Sequence, residues 1–180
     1  MLAVPSLAYL LPDTDQRTCY QDVVPYLIPC EGTGQDGAYI VNPLSYTDNS
    51  DGTVTDNNTG LIWQQQDDGA QYNWYRATGT FSATYNPESA DVCGSLILGD
   101  ATDWRLPTKN ELLSIVDYED NTGMKIRTAY FLNAKASSYW TSTRYATDPQ
   151  FAWVTAFNTG YIYFYHRYTA YYVRCVRGGS

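Results

Sequence analysis

The run Thr159-Gly160-Tyr161-Ile162-Tyr163-Phe164-Tyr165-His166-Arg167-Tyr168-Thr169-Ala170-Tyr171-Tyr172 leads straight into Val173-Arg174-Cys175-Val176-Arg177-Gly178. From Tyr161 to Tyr165 the pattern has period two, with Tyr161, Tyr163 and Tyr165 on one face and Ile162 and Phe164 on the other, as in a β-strand. Thr159 to Tyr172 holds six tyrosines in fourteen residues. That is more phenol than a core needs, because every buried hydroxyl must find a hydrogen-bond partner or cost free energy. Tyrosine also offers a large, stiff contact surface with two torsions to freeze, the chemistry of antibody-like binding surfaces. The expectation is a strand that packs through one face and offers the other to a ligand.

Period two continues upstream. Tyr139–Thr143, Phe151–Phe157, Tyr161–Tyr165 and Tyr171–Val176 read as successive short strands, separated by the Asp148-Pro149 and Asn158-Thr159-Gly160 turns. Before them the period is helical. Thr108 and Glu111 form a capping box ahead of the apolar stripe Leu112, Ile115 and Val116, which predicts a helix from about Lys109 to Tyr118. A second helix is predicted within Pro87 to Gly99, presenting Val92, Cys93, Leu96 and Ile97 inward despite the cost of Gly94. Two helices and small antiparallel sheets make an α+β fold.

Earlier still, two β-branched runs flank the Asp56-to-Gly60 turn in a hairpin pattern. The loop lacks the spacing and closing glutamate of an EF-hand, so its Asp and Asn residues read as turn formers. Leu11 to about Asp51 is rich in Pro, Gly, Asp and Asn. It reads as an irregular extension packed on the main domain, so the chain divides into an extension over 1–50 and a ligand-binding domain over 51–180.

At 180 residues, 44% hydrophobic and 16% aromatic, with 18 tyrosines, the chain can bury a substantial core. A net charge of -8 argues against nucleic acid as the main partner, and no apolar run approaches the roughly 20 residues a bilayer crossing needs. Met1 to Leu11 lacks a basic n-region and a full h-region, so that segment alone does not decide localisation. Cys19, Cys30, Cys93 and Cys175 form an even set without metal-site spacing, beside a single histidine. Two disulfides are expected, and with them an oxidising compartment. Of the three pairings, Cys19 with Cys30 and Cys93 with Cys175 is favoured; the second would tie the mid-chain helix to the last strand. Its loop of about 80 residues corresponds to ~4 kcal/mol in the chain-entropy model.

Several blocks in order carry a family resemblance: Asp51-Gly52-Thr53-Val54-Thr55-Asp56, Thr59-Gly60-Leu61-Ile62-Trp63, Asp103-Trp104-Arg105-Leu106-Pro107-Thr108 with Glu111-Leu112, Tyr139-Trp140-Thr141-Ser142-Thr143, and Val173-Arg174-Cys175-Val176-Arg177-Gly178. Together they resemble the Lcl C-terminal-like domain family over most of Asp51 to Gly178. Leu11-Pro12-Asp13-Thr14 and Cys19-Tyr20 resemble extensions that precede such domains. The resemblance implies a C-type-lectin-like fold, usually extracellular or at the cell surface, in which a disulfide from helix to last strand recurs. It implies one of two roles: the variable protein of a diversity-generating retroelement, or a fixed adhesin domain binding glycans or glycosaminoglycans. In such a retroelement, template adenines are randomised, so Asn codons ending in C or T become any codon with that ending. Trp, Met, Lys, Glu and Gln are then inaccessible, and every residue from Tyr161 to Tyr172 belongs to the accessible set.

The candidate ligand-binding residues are therefore Tyr161, Tyr163, Tyr165, His166, Tyr168, Thr169 and Tyr171, with Tyr145, Thr147, Asp148 and Asn158 beside them in one exposed patch. The partner expected is a macromolecule, a protein or a surface glycan. No enzyme activity, metal or cofactor is expected: the redox cysteine pair of formylglycine-generating oxidases is missing, His166 lies within the diversified stretch, and Asp148-Pro149-Gln150 only faintly echoes a calcium-lectin motif. Trp63, Trp104, Trp140 and Trp153 are assigned to core or framework, Arg105, Arg174 and Arg177 to bracing it, and Asp67-Asp68 and Glu119-Asp120 to solvated turns. Peptide mapping without reduction should recover Cys93 joined to Cys175; both as free thiols would remove the case for an oxidising compartment.

Overall fold

The computed structural model describes residues 13–21, 26–39, 41–120 and 123–178. The Met1 to Leu11 segment lies outside them. Three sheets are present among the described residues. A small one pairs β1 (Cys19–Tyr20) with β2 (Leu27–Ile28). A four-stranded sheet runs in the order β11-β5-β4-β3, from β3 (Tyr46–Asp48), β4 (Thr53–Asp56), β5 (Ile62–Gln64) and β11 (Val176–Arg177). A five-stranded sheet runs β6-β10-β7-β8-β9, from β6 (Gln71–Tyr72), β7 (Ser138–Arg144), β8 (Phe151–Ala156), β9 (Ile162–His166) and β10 (Tyr171–Tyr172). The helices are short: α1 (Trp74–Ala77) and α2 (Lys109–Leu113). The fold is α+β, as expected, and both expected disulfides are formed.

Several local expectations need correction. The stretch Pro87–Gly99 is a chain of turns and contains no helix. Its polar side chains bond their own backbone: Asn86 Oδ1 accepts from the Ala90 N–H, Asp91 Oδ1 from the Gly94 N–H, and Ser95 Oγ donates to the Asp91 carbonyl. Such bonds compete with a helix, and here they win. Cys93 accordingly joins a turn, not a helix, to the segment ahead of β11. The second helix of the fold lies instead at Trp74–Ala77, capped by Asn73, which accepts from the Arg76 N–H. The capping box of α2 is formed as read, with Thr108 and Glu111 each accepting from the other's N–H, but the helix stops at Leu113. Ser114 Oγ donates to the Glu111 carbonyl there. Finally, Tyr171–Val176 splits between two sheets, and β10 runs parallel to β7 through Tyr172 and Tyr139, so the larger sheet is mixed.

The extension contributes a strand to the four-stranded sheet. β3 pairs with β4, and Tyr46 sits in the core at 5.0 Å from the Phe131 ring, edge to face. Buried Asp15 accepts from Arg17 and is ion-paired with Arg127. Glu119 accepts from the Arg17 N–H at 2.8 Å, so it docks the extension and is no free solvated turn.

The crossing between the two large sheets is Val173-Arg174-Cys175, and it carries the central polar contact. Arg174 is fully buried. Its guanidinium donates to the carbonyls of Gln64, Gln65 and Leu132 and to Asp67 Oδ2 at 2.6 Å. Asp67 also accepts from the buried Tyr139 hydroxyl at 2.9 Å. Asp67 was expected in a solvated turn; burial of its carboxylate is tolerable because an equally buried cation and a phenol satisfy it. Arg105 and Arg177 brace as expected, Arg105 with both Glu111 oxygens and Arg177 with Asp103. Arg174→Met should lower stability by about 3–5 kcal/mol in denaturant titration, because it leaves the buried Asp67 carboxylate without its cation. Adding Asp67→Asn to that variant should recover part of the loss; full additivity of the two changes would contradict a direct pair.

Candidate functional site

The β8–β9 hairpin forms one edge of the five-stranded sheet. Its turn needs Gly160: φ is +78°, and a Cβ there would meet Tyr118 Cε1 at 2.7 Å. Tyr118 donates its hydroxyl to the Gly160 carbonyl at 2.8 Å, fixing the turn against the body of the domain. The register pairs Val154 with Tyr163, Trp153 with Phe164, Ala152 with Tyr165 and Phe151 with His166. Directly paired residues share a face of the sheet.

That register divides the candidate residues. Tyr163 and Tyr165 lie on the face of Ala152, Val154 and Trp140, over the rim of the core that these residues form with Trp74, Trp104 and Val173. Tyr165 packs on Tyr171 at 4.9 Å, and Tyr171 on the buried Trp140 at 5.2 Å. Phe164 and His166 lie on the opposite face. There Tyr145 stacks flat on Phe164 at 4.3 Å, and Phe151 lies 3.9 Å from His166. Trp153 belongs to the same face, half-buried, with Lys109 Nζ 5.0 Å above its ring. It is therefore not a core residue, unlike Trp63, Trp104 and Trp140, which are buried as read.

The ends of the hairpin are also distinct. Asn158 and Tyr161 are exposed at the β8–β9 turn, with Tyr161 62% exposed. Tyr145, Thr147 and Asp148 lie at the other end, where Asp148 Oδ1 accepts from the Gln150 N–H. The six residues of β8 separate the two ends, about 20 Å at strand rise. Thr169, half-buried, closes the turn after β9 by donating its N–H to the His166 carbonyl. The candidates therefore form two aromatic surfaces on either side of β9, joined along the strand. The expected contrast of one packed and one open face is absent: Tyr163, Phe164 and Tyr165 are exposed to similar extents.

The surface around His166 extends further than the residue pattern alone indicates. Tyr168 stacks on His166 at 4.8 Å and on Tyr85 at 5.9 Å, and Tyr85 stacks on Tyr75 at 5.5 Å. The Arg167 guanidinium lies 4.8 Å from the Trp74 ring and 4.6 Å from the Tyr75 ring. The Trp74 N–H donates to the Arg167 carbonyl at 2.8 Å, which locks this segment to the end of β9. The signal that could have found Tyr75 and Tyr85 is the aromatic density of Tyr72, Trp74, Tyr75, Phe81 and Tyr85 within fifteen positions of chain.

An α+β domain stapled by two disulfides and presenting aromatic rings on both sides of an edge strand has the form of a binding module. The model of the Lcl C-terminal domain matches residues 52–177, and the chain belongs to that family. Membership points to a ligand-binding or adhesin-like domain. A comparison with curated proteins finds no match.

Burial, with the Tyr165 hydroxyl next in effect, pushes the Tyr171 phenol up to about 12. A group raised in the folded state stabilises it below the unfolded value, about 10, and that contribution is lost as pH rises through the folded value. A 13C-tyrosine NMR titration should find one ring titrating near that value. Tyr165→Phe should bring it closer to 10; an unchanged midpoint would show that the two phenols do not interact.

Proposed function

We propose that the chain is the ligand-binding variable protein of a diversity-generating retroelement, displaying a diversified tyrosine-rich surface on a C-type-lectin-like scaffold. The observation that carries this is the change in burial from Tyr161 to Val176, which passes through the half-buried Tyr171 and Tyr172. Five of the side chains from Tyr161 to Tyr168 are exposed aromatic rings, whereas Val173, Arg174, Cys175 and Val176 are buried. Diversification needs such a boundary, because solvent-facing side chains can change at a stability cost usually within ~0.5 kcal/mol, while framework side chains cannot. The accessible codon set from Tyr161 to Tyr172 fits the same division.

The ligand is a macromolecule held by aromatic contacts and not a substrate to be turned over. In support, His166 packs between Phe151 and Tyr168, an arrangement for stacking. The two disulfides support an extracellular or cell-surface location. A second reading, a fixed adhesin domain binding glycans or glycosaminoglycans, is favoured by the family membership itself.

Sequencing the DNA beside the gene separates the two. The retroelement reading expects a reverse-transcriptase gene and a near-repeat of the segment encoding about Tyr145 to Arg177. Mismatches should fall at template adenines, mostly in Asn codons, and leave the Trp153 and Val173-Arg174-Cys175 codons unchanged. No repeat, or mismatches at all four bases alike, would leave the fixed adhesin domain.

A further inference from the structure

We propose that β9 is a docking edge for an extended peptide segment of a protein ligand, which joins the five-stranded sheet as a sixth strand and is held first by main-chain hydrogen bonds. This rests on reading the β8–β9 hairpin as the ligand-binding surface, and it names the class of partner.

The hydrogen-bond pattern sets the geometry. The Ala156 N–H donates to the Tyr161 carbonyl, and the Arg167 N–H donates to the Gln150 carbonyl. In an antiparallel pair, bonded and non-bonded residue pairs alternate. Tyr161, Tyr163, Tyr165 and Arg167 therefore turn their backbone groups toward β8, and Ile162, Phe164 and His166 turn theirs away from it. The His166 carbonyl is taken by the Thr169 N–H. The N–H groups of Ile162, Phe164 and His166 and the carbonyls of Ile162 and Phe164 have no partner among the described residues, since β9 ends its sheet. They repeat at about 6.5–7 Å, the spacing of an extended backbone. A polypeptide strand matches that donor-acceptor row; a glycan, with hydroxyls at ring spacing, does not.

The strand lacks three common devices that block edge pairing: charged side chains, proline and a bulge. Ile162-Tyr163-Phe164-Tyr165-His166 contains no Lys, Glu, Asp or Pro, and its pairing with β8 is continuous without a bulge. Side chains on both faces would flank an added strand. One wall is Tyr163 and Tyr165; the other is Phe164, Tyr145 and His166. Successive residues of a docked strand would meet the two walls alternately, so main-chain bonds give affinity and the walls give selectivity. The backbone row is also independent of the side chains that occupy β9, proline excepted, so it would serve most diversified versions of the surface.

Panning a random linear peptide display library on the full disulfide-bonded chain supplies the probe. With the selected peptide bound, amide hydrogen exchange by NMR should slow at Ile162, Phe164 and His166, by about tenfold or more, while Tyr163 and Tyr165 change little. Phe164→Pro removes an outward N–H without taking a bond from the β8 ladder. It should weaken binding about tenfold beyond Phe164→Ala, which loses the same ring but keeps the N–H. Equal affinities for the two variants, peptide binding with no added protection at those amides, or recovery of no peptide would each overturn the proposal. Glycan-array binding without any selected peptide would overturn it too and leave the ligand-binding reading intact. Concentration-dependent self-association lost in Phe164→Pro would identify a second copy of the chain as the occupant and overturn the commitment to a ligand strand.

Discussion

The buried Arg174 guanidinium and Asp67 carboxylate hold the molecule's two large sheets in register. Arg174 sits on the three-residue crossing from β10 to β11, and its donors reach the carbonyls of Gln64, at the end of β5, and Gln65, just after it, as well as the Leu132 carbonyl. Neither charge is reachable by water, so each depends on the other, and the Tyr139 hydroxyl ties the pair to the strand next to β8. Cys175, one residue on, is bonded to Cys93. The Gln64 side chain accepts from the Cys175 N–H while the Gln64 N–H donates to the Cys175 carbonyl. A charged pair, a disulfide and a reciprocal amide contact thus converge on one short segment. A buried pair of this kind costs desolvation, and its value lies in fixing one arrangement of the chain.

With the crossing fixed there, the β8–β9 hairpin is left as an edge whose position is set from behind. Tyr118 anchors its turn, α1 anchors its far end through Arg167, and β8 anchors its length. The rings on both faces of β9 then need not hold the fold together. Recognition and stability are assigned to neighbouring but different residues, and the change falls across the half-buried Tyr171 and Tyr172, which pack on Trp140 and Tyr139.

Much of the architecture was legible locally. The capping box of α2, the period-two strands from Tyr139 onward, the hairpin around Asp56–Gly60 and the Cys19–Cys30 disulfide all follow from residue types at short spacing. Long-range pairing was less legible. Asp67 reads as a turn former because nothing nearby in sequence shows that Arg174 will reach it. Pro87–Gly99 has a helical apolar stripe, but Asn86 and Asp91 capture the backbone first. The site was half legible: alternation assigned the tyrosines of β9 to one face correctly. What it could not show is that β9 is an edge strand, so that both faces meet solvent and the candidates divide into two surfaces, one of them continued by Phe164, Phe151 and Tyr85.

The division between framework and surface is tested most directly by measuring the stability of every single substitution from Tyr161 to Val176, by protease resistance of a displayed library. Substitutions at Tyr161, Tyr163, Phe164, Tyr165 and Tyr168 should mostly stay within about 1 kcal/mol of the parent. Those at Val173, Arg174, Cys175 and Val176 should mostly lose more than about 2 kcal/mol. Losses at Tyr163, Phe164 and Tyr165 as large as those at Val173 and Val176 would show that the aromatic strand is itself core, and would contradict its assignment to recognition.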